Sequence, residues 1–506
     1  MSQIKTGALL SYFSIFLGSA ISIIYTPFML RLMGQSEYGL MSLSNSVVGY
    51  LGLLNLGIGS AMVRYISKYK EIGDTEMEHA VTTLFLYVYL AIAIVALIVG
   101  GCLSYNVELF FEQTLTIEEV SKLRVLVALM TFNVSIGMVS SVFYAIMMAY
   151  ERFIFTKAVG VINTLLTPVI NVLLLFLGYR SVGLTIASTS LNLLNFLIVV
   201  VYSFYRLGFK IKKKRFDRAF LQELFGFSFF VFMAMIVDKV YWGTDQFILG
   251  AVSGTVAVAI YSVGASFNGY LMSFSTAITG LFLPRLTQMD VNHASDQEFT
   301  DLFIKVGRIQ FIILSFILCG FIIFGKAFIR LWAGPDYSDA YWIALVTLVP
   351  FVIPLIQNLG LQLLYARNKH KFRSIMLFGI AVLNISLSIP FAKIYGGVGC
   401  AFVTGVSYVI GQGFILNWYY HKKMRIDIPL FWRRILPLFT IVCILCCAGL
   451  LAVQQTAIDT WWTLLIGVSV FIPVFIAAIW FGGMNFEEKM LVVGRWIKKQ
   501  EEIGKT

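Results

Sequence analysis

Fourteen apolar runs, each about 20 residues or longer, follow one another between residues 8 and 482 with only short polar breaks. That is the length a helix needs to cross the hydrocarbon core of a bilayer. Backbone amides and carbonyls in hydrocarbon have no water to bond, so each run must close its own hydrogen bonds as a helix. The runs lie near 8–32, 40–66, 80–104, 124–148, 157–178, 182–205, 222–249, 258–283, 304–327, 341–364, 374–395, 398–419, 435–455 and 461–482. Composition agrees. A soluble protein keeps about a quarter of its residues charged, whereas here 13% are charged and 59% are hydrophobic. The expected fold is an all-α polytopic membrane protein of about fourteen transmembrane helices.

The net charge of +12 does not point to nucleic acid, because the basic residues sit in short clusters between the runs. Lys and Arg favour cytoplasmic loops. With the N-terminus inside, about 30 basic residues fall on the cytoplasmic side, including the Arg206–Arg218 cluster, and about 7 fall outside. Both termini are therefore expected in the cytoplasm. The first run is too long for the core of a cleaved signal and reads as a span. The group Cys443-Ile-Leu-Cys446-Cys447 lies mid-helix without a nearby His or acid and reads as packing, not as a metal site.

A weak internal repeat appears at an offset near 215–220. Tyr150-Glu151-Arg152 returns as Tyr365-Ala366-Arg367, and Val182-Gly183 as Val398-Gly399. The simplest organisation is a six-helix lobe (1–207), a basic cytoplasmic linker (208–221), a second six-helix lobe (222–420), and a C-terminal helix pair with tail (421–506). Transporters built from repeats hold substrate near mid-membrane, at the repeat interface.

The seventh run carries Asp238 and Lys239 near its middle and Asp245 towards its outer end. A charge at bilayer centre costs about 2.5–3.5 kcal/mol on insertion scales and normally faces a protein interior or a wet cavity. Asp238 and Asp245 are two turns apart and share a face. Lys239 is turned about 100° from Asp238, so the neighbours do not neutralise each other. Lys239 is the candidate to attract an anion, and the two aspartates are candidates for cation or proton coupling. The alternative for all three is pairing with other helices. Arg31, Arg64, Arg285 and Arg308 lie near span ends, where long basic side chains reach the interface; as a set they suit phosphate, since the guanidinium is a planar fork of donors. Amides recur inside the spans, among them Asn45, Asn55, Asn133, Asn171, Asn192, Asn268, Gln357, Asn358 and Asn384. Some must bridge helices; a lining of amides and tyrosines would also suit a sugar. The sequence holds no Walker, GxSxG, HExxH or kinase-type motif, so it names no cofactor and no catalytic group.

Several motifs then fall in a familiar order: Leu32-Met33-Gly34-Gln35-Ser36-Glu37-Tyr38-Gly39, Leu56-Gly57-Ile58-Gly59 leading to Arg64-Tyr65, Asp245-Gln246-Phe247-Ile248-Leu249-Gly250, Leu283-Pro284-Arg285, Trp332-Ala333-Gly334, and Tyr395-Gly396-Gly397-Val398-Gly399. Over about residues 8–420 the chain resembles the polysaccharide-transport (Wzx-like) family, in the superfamily that also holds lipid II flippases and MATE drug exporters. The resemblance implies two lobes facing a central cavity, alternating access, and an undecaprenyl-pyrophosphate-linked oligosaccharide as cargo. It also implies a non-enzymatic protein. A polysaccharide polymerase and a chain-length regulator are the expected partners, and a monomer is the expected state. Many relatives carry an acid where Asn55 stands here, which places an acid-based coupling site in the first lobe in doubt. Two other readings stay open: a MATE-like cation-coupled exporter, which needs acids as its main cavity charges, and a membrane polymerase or glycosyltransferase, which needs a larger outer loop than Tyr105–Lys122.

Overall fold

The polar breaks between the runs are where the helices begin, and several carry their own start signals. Thr116 and Glu119 form a reciprocal capping box, as do Ser295 and Glu298, each satisfying amides that the first turn leaves unbonded. Asp74 and Asp427 accept from the amides of Met77 and Leu430 in the same way. A computed structural model describes residues 3–490 except 56, 57, 215, 217, 281, 283, 284, 287, 290, 291, 293, 368–370 and 457; for some helical residues, including 3–16 and much of 219–242, it describes the backbone alone.

In order, the helices are α1 (Gln3–Met33), α2 (Gln35–Gly49), α3 (Ile58–Ile72), α4 (Thr75–Tyr105), α5 (Glu108–Phe111), α6 (Ile117–Ala149), α7 (Phe153–Phe176) and α8 (Ser181–Tyr205). They continue as α9 (Arg218–Gly280), α10 (Asp296–Trp332), α11 (Ala340–Ile356), α12 (Asn358–Ala366), α13 (Lys371–Tyr408), α14 (Asn417–Lys423), α15 (Ile428–Gln455) and α16 (Trp461–Ala478). Among the described residues, ten helical stretches are long and apolar enough to cross a membrane, or eleven if α1 and the α2 segment, bent by 118°, form one broken span. Two long helices are interrupted: α9 at Gly254 (φ 81°) and α13 at Gly396 (φ 59°). Both φ values lie where a Cβ is strained and glycine is not. Dividing there, and counting α2 with α3 and α11 with α12, the described residues fall into fourteen consecutive segments that correspond to the runs in the sequence.

By packing, the chain forms two compact units: Met1–Ser262 with Ser388–Gly397, and Val263–Leu387 with Val398–Thr506. Division by packing differs from division by repeat, since the helix carrying Lys239 groups with the first unit. That unit is built around α6, which packs on α4, α8, α2 and α3; its core includes Phe85, Tyr89, Met62, Ile66 and Val142. In the second unit α10 is the hub, packing on α11, α15 and α16, with Phe303 edge-on to Tyr420 and Phe431. The C-terminal pair thus leans on α10. Cys446 is buried with its Sγ 3.1 Å from that of Cys319, while Cys443 and Cys447 are exposed.

Candidate functional site: an amide-lined cavity beside a buried ammonium

The first unit encloses a cavity of about 420 Å³, within the range of small-molecule sites. Helical spacing explains its walls. Residues three or four apart share a face, and the lining is drawn in such sets: Tyr25 and Met29 from α1, Met41, Asn45, Val48 and Gly49 from α2, Met130, Asn133 and Val134 from α6, and Leu184, Thr185, Ser188 and Asn192 from α8, with Asn171 from α7. Four of the amides singled out in the sequence therefore meet in one place. They are oriented by neighbours: Asn171 Nδ2 donates to the Tyr25 hydroxyl at 3.1 Å, Asn133 Nδ2 to Thr189 Oγ1 at 2.9 Å, and Asn192 Nδ2 to Asn133 Oδ1 at 3.5 Å. Asn171 Oδ1 is buried with no donor among the described residues, an acceptor available to a hydroxyl. The other half of the lining is aliphatic or methionine, and methionine adapts its shape to what it packs on.

The face of α2 turned from the cavity meets α9. Ser46 donates to the Gly243 carbonyl at 2.7 Å, and the Tyr50 and Thr244 hydroxyls are 2.9 Å apart. Lys239 lies in this seam. Its Nζ is 5.4 Å from the centroid of the Tyr50 ring, a cation–π distance, and a Cβ at Gly49 would stand 2.1 Å from Nζ. Gly49 is thus a wall of the cavity and the contact of the ammonium at once. Among the described residues, no carboxylate lies within ion-pair distance of Lys239.

The other sequence candidates separate. Asp245 is 7% exposed and accepts from the Tyr261 hydroxyl at 2.5 Å and from Ser388 at 3.3 Å. The side chain of Asp238 lies outside the described residues. Arg31 ends α1 and is exposed; Arg64 is exposed on α3 with its guanidinium 6.0 Å from the Tyr65 ring centroid; Arg285 is exposed in the second unit. None of the three lines the cavity among the described residues. Arg308 is buried and occupied. It donates to both carboxylate oxygens of Glu488 (2.6 and 2.9 Å), to the Gly483 carbonyl at 2.8 Å and to the Arg434 carbonyl. That set of acceptors makes it a tie between α10 and the C-terminal segment, not a phosphate ligand.

Sequence reasoning missed a polar cluster in the first unit. Glu37 is 5% exposed, accepts from Lys122 at 2.6 Å, and also bonds the Ser181 hydroxyl and amide. Glu119 accepts from Ser36 at 2.6 Å and Thr255 at 2.8 Å. Together these fasten α2, α6, α8 and the residue after the Gly254 break. The motif containing Ser36 and Glu37 was visible in the sequence; partners 83 to 144 residues away were not.

This architecture defines a class, the fold shared by lipid flippases and multidrug exporters. A structure of the lipid II flippase MurJ in an inward closed conformation matches with a TM-score of 0.74 at 14% identity, covering 97% of this chain and 99% of that one. An inward-facing multidrug resistance MATE family transporter matches with a TM-score of 0.58 at 15% identity, over 82% of this chain and 99% of that one. The family is closer at hand: the model of the family described as "Polysaccharide biosynthesis protein" matches residues 4–290, more than half of the chain, and the protein belongs to that family. A Shigella flexneri protein named "Putative O-antigen transporter" is 22% identical over 435 residues, 84% of this chain and 99% of that one. A Bacillus subtilis protein, "Uncharacterized membrane protein EpsK", is 21% identical over 381 residues, 73% of each chain.

Proposed function

We propose that the protein is a flippase that moves an undecaprenyl-pyrophosphate-linked oligosaccharide repeat unit from the cytoplasmic to the outer leaflet of the bacterial inner membrane. It works by alternating access, with both termini in the cytoplasm, and serves surface polysaccharide synthesis (O-antigen, capsule or exopolysaccharide). The observation that carries this reading is the pairing of an amide- and hydroxyl-lined cavity with the Lys239 ammonium across Gly49. The amides suit sugar hydroxyls and the ammonium suits pyrophosphate. These are the two parts of such a lipid that hydrocarbon refuses, while the polyprenyl chain already dissolves in the bilayer. The protein therefore needs a polar path and no bond-making chemistry. Membership of the polysaccharide biosynthesis family supports the same reading, and a polymerase and a chain-length regulator are the partners that such a step would feed.

A MATE-like cation exporter is the second reading. The described buried acid of the seventh run, Asp245, keeps it in play; the cation beside the cavity argues for an anionic cargo.

Locating the lipid-linked intermediate tests the proposal. Cells lacking the protein should still assemble the intermediate, hold it on the cytoplasmic leaflet and make little surface polymer. Purified protein in vesicles should move it between leaflets without ATP. An intermediate found on the outer leaflet of the deletion strain overturns the flippase, and altered drug tolerance with intact polymer favours the exporter.

A further inference from the structure

The segment after α8 is basic in sequence and ordered in structure. α8 is an apolar candidate span ending at Tyr205, so the residues that follow emerge at a membrane surface. Gly208 turns the chain with φ 68°, and the amides of Leu207 and Phe209 return to the carbonyls of Tyr202 and Ser203 at 3.3 and 3.1 Å. Phe209 then inserts into the core of the first unit: it is 4% exposed and its ring lies 5.2 Å from that of Phe204 and 5.8 Å from that of His79. Three residues on, the Lys212 amide donates to Thr83 Oγ1 at 3.0 Å, and Phe216 packs against the same core. Between these anchors Lys210, Lys212, Lys213 and Lys214 are all exposed.

A loose basic loop spreads its charge over many positions; a docked one keeps four lysines close together on an anchored backbone beside the bilayer. Of the acids at the start of α4, Asp74 accepts from the Met77 amide and Glu78 from the Tyr150 hydroxyl, so two of those carboxylates are already engaged. Exposed Tyr205 (85%) and Ile211 (52%) flank the lysines with apolar surface. That combination suits a lipid headgroup with acyl chains behind it better than a soluble anion.

We propose that residues 207–214 form a strap, docked on the first unit, that binds phosphate headgroups of anionic phospholipids. The site stands apart from the cavity and does not depend on what the protein transports. A basic residue at a membrane surface contributes up to about fivefold in affinity for anionic lipid, and four lysines gathered within five positions on one docked backbone act on the same patch of headgroups, so this set should produce a preference larger than basic residues split between two helix ends do.

The test uses the full-length protein in phosphatidylcholine vesicles containing a small fraction of spin-labelled phosphatidylglycerol, with the motionally restricted fraction read by electron paramagnetic resonance. Changing Lys210, Lys212, Lys213 and Lys214 together to Gln should lower the preference for phosphatidylglycerol about fivefold or more. Thr83→Val keeps every lysine but removes one anchor, and should reproduce part of that loss. A control set, Lys422→Gln, Lys423→Gln, Arg433→Gln and Arg434→Gln, should change it far less. The strap is overturned if the control lowers the preference as much, if Thr83→Val leaves it untouched, or if added polyprenyl diphosphate displaces the labelled lipid from the wild type more readily than unlabelled phosphatidylglycerol does, which would make the ligand a transported lipid.

Discussion

In the first unit Asn45, Asn133, Asn171 and Asn192 stand around a cavity of about 420 Å³. In the second, Asn268, Gln357 and Asn384 are buried and tie helices together, bonding Thr347, Asn417 and Thr404 at 3.1, 2.7 and 3.0 Å. The second unit has a hollow of nearly the same size, about 430 Å³, but Leu345, Val346, Val349, Pro350, Phe402, Gly405, Val406 and Val409 line it. The cations differ in the same sense. Arg308 is held by a carboxylate and two carbonyls of its own unit, whereas Lys239 meets a tyrosine ring and the bare backbone of Gly49. A polar group in a membrane interior is either satisfied by its own fold or presented to something else. Arg308, Gln357 and Asn384 of the second unit take the first course, whereas Asn171 Oδ1 and the Lys239 ammonium of the first unit have no hydrogen-bonding partner among the described residues.

The sharpest way to break this contrast is at Arg308. Removing one partner of a buried ion pair leaves the other charge uncompensated, at a cost of about 3–5 kcal/mol. Glu488→Gln should therefore unfold a large share of the protein, seen as lost yield and a lowered melting temperature. Replacing both partners by apolar residues (Arg308→Met with Glu488→Leu) should recover most of the loss. Full transport with poor yield would mark Arg308 as structural; normal yield with lost transport would return it to the cargo site.

Lys239 should behave in the opposite way. Lys239→Ala should reduce transport at least tenfold with insertion and yield unchanged, and Lys239→Arg should retain more than Lys239→Ala. Lys239→Met should fold as well as the wild type or better, because it removes a charge that no carboxylate among the described residues answers. Full-rate transport by the Ala variant would show that the ammonium is packing.

A smaller effect is expected at Gly49. The atom that a new Cβ meets is the end of a flexible side chain, so Gly49→Ala should cost little stability while displacing the ammonium, lowering transport severalfold. Smaller still, Asn171→Leu should reduce transport two- to fivefold by removing the buried acceptor, in line with the modest net worth of one hydrogen bond, about 0.5–1.5 kcal/mol. Last, Asp245→Asn and Asp238→Asn should alter the dependence of transport on the ion gradient and not the yield, if either acid couples. Gradient dependence unchanged in both variants would remove them from the mechanism.

Much of the fold was readable beforehand because the bilayer imposes it. Helix positions follow from run length and from the need to bond every backbone group, and the two interruptions fall at Gly254 and Gly396, between runs seven and eight and between runs eleven and twelve. Lys239 stood out because a cation in mid-run is expensive wherever it points. The amides stood out as a type, but nothing in their positions told Asn171, a cavity residue, from Asn384, a helix bridge.

The sequence by itself determined the class of molecule, the number and order of its spans, and the residue types held inside them, since these depend on local composition and a solvent of known thickness. Tertiary structure alone decided which of those residues are satisfied. Whether a buried donor or charge has a partner is settled by residues tens to hundreds of positions away: Glu488 holds Arg308 from 180 positions on, and the Tyr50 ring stands beside the Lys239 ammonium from another segment. Hydrogen bonds and ion pairs act over about 3 Å, and only the packed helices bring such distant residues that close.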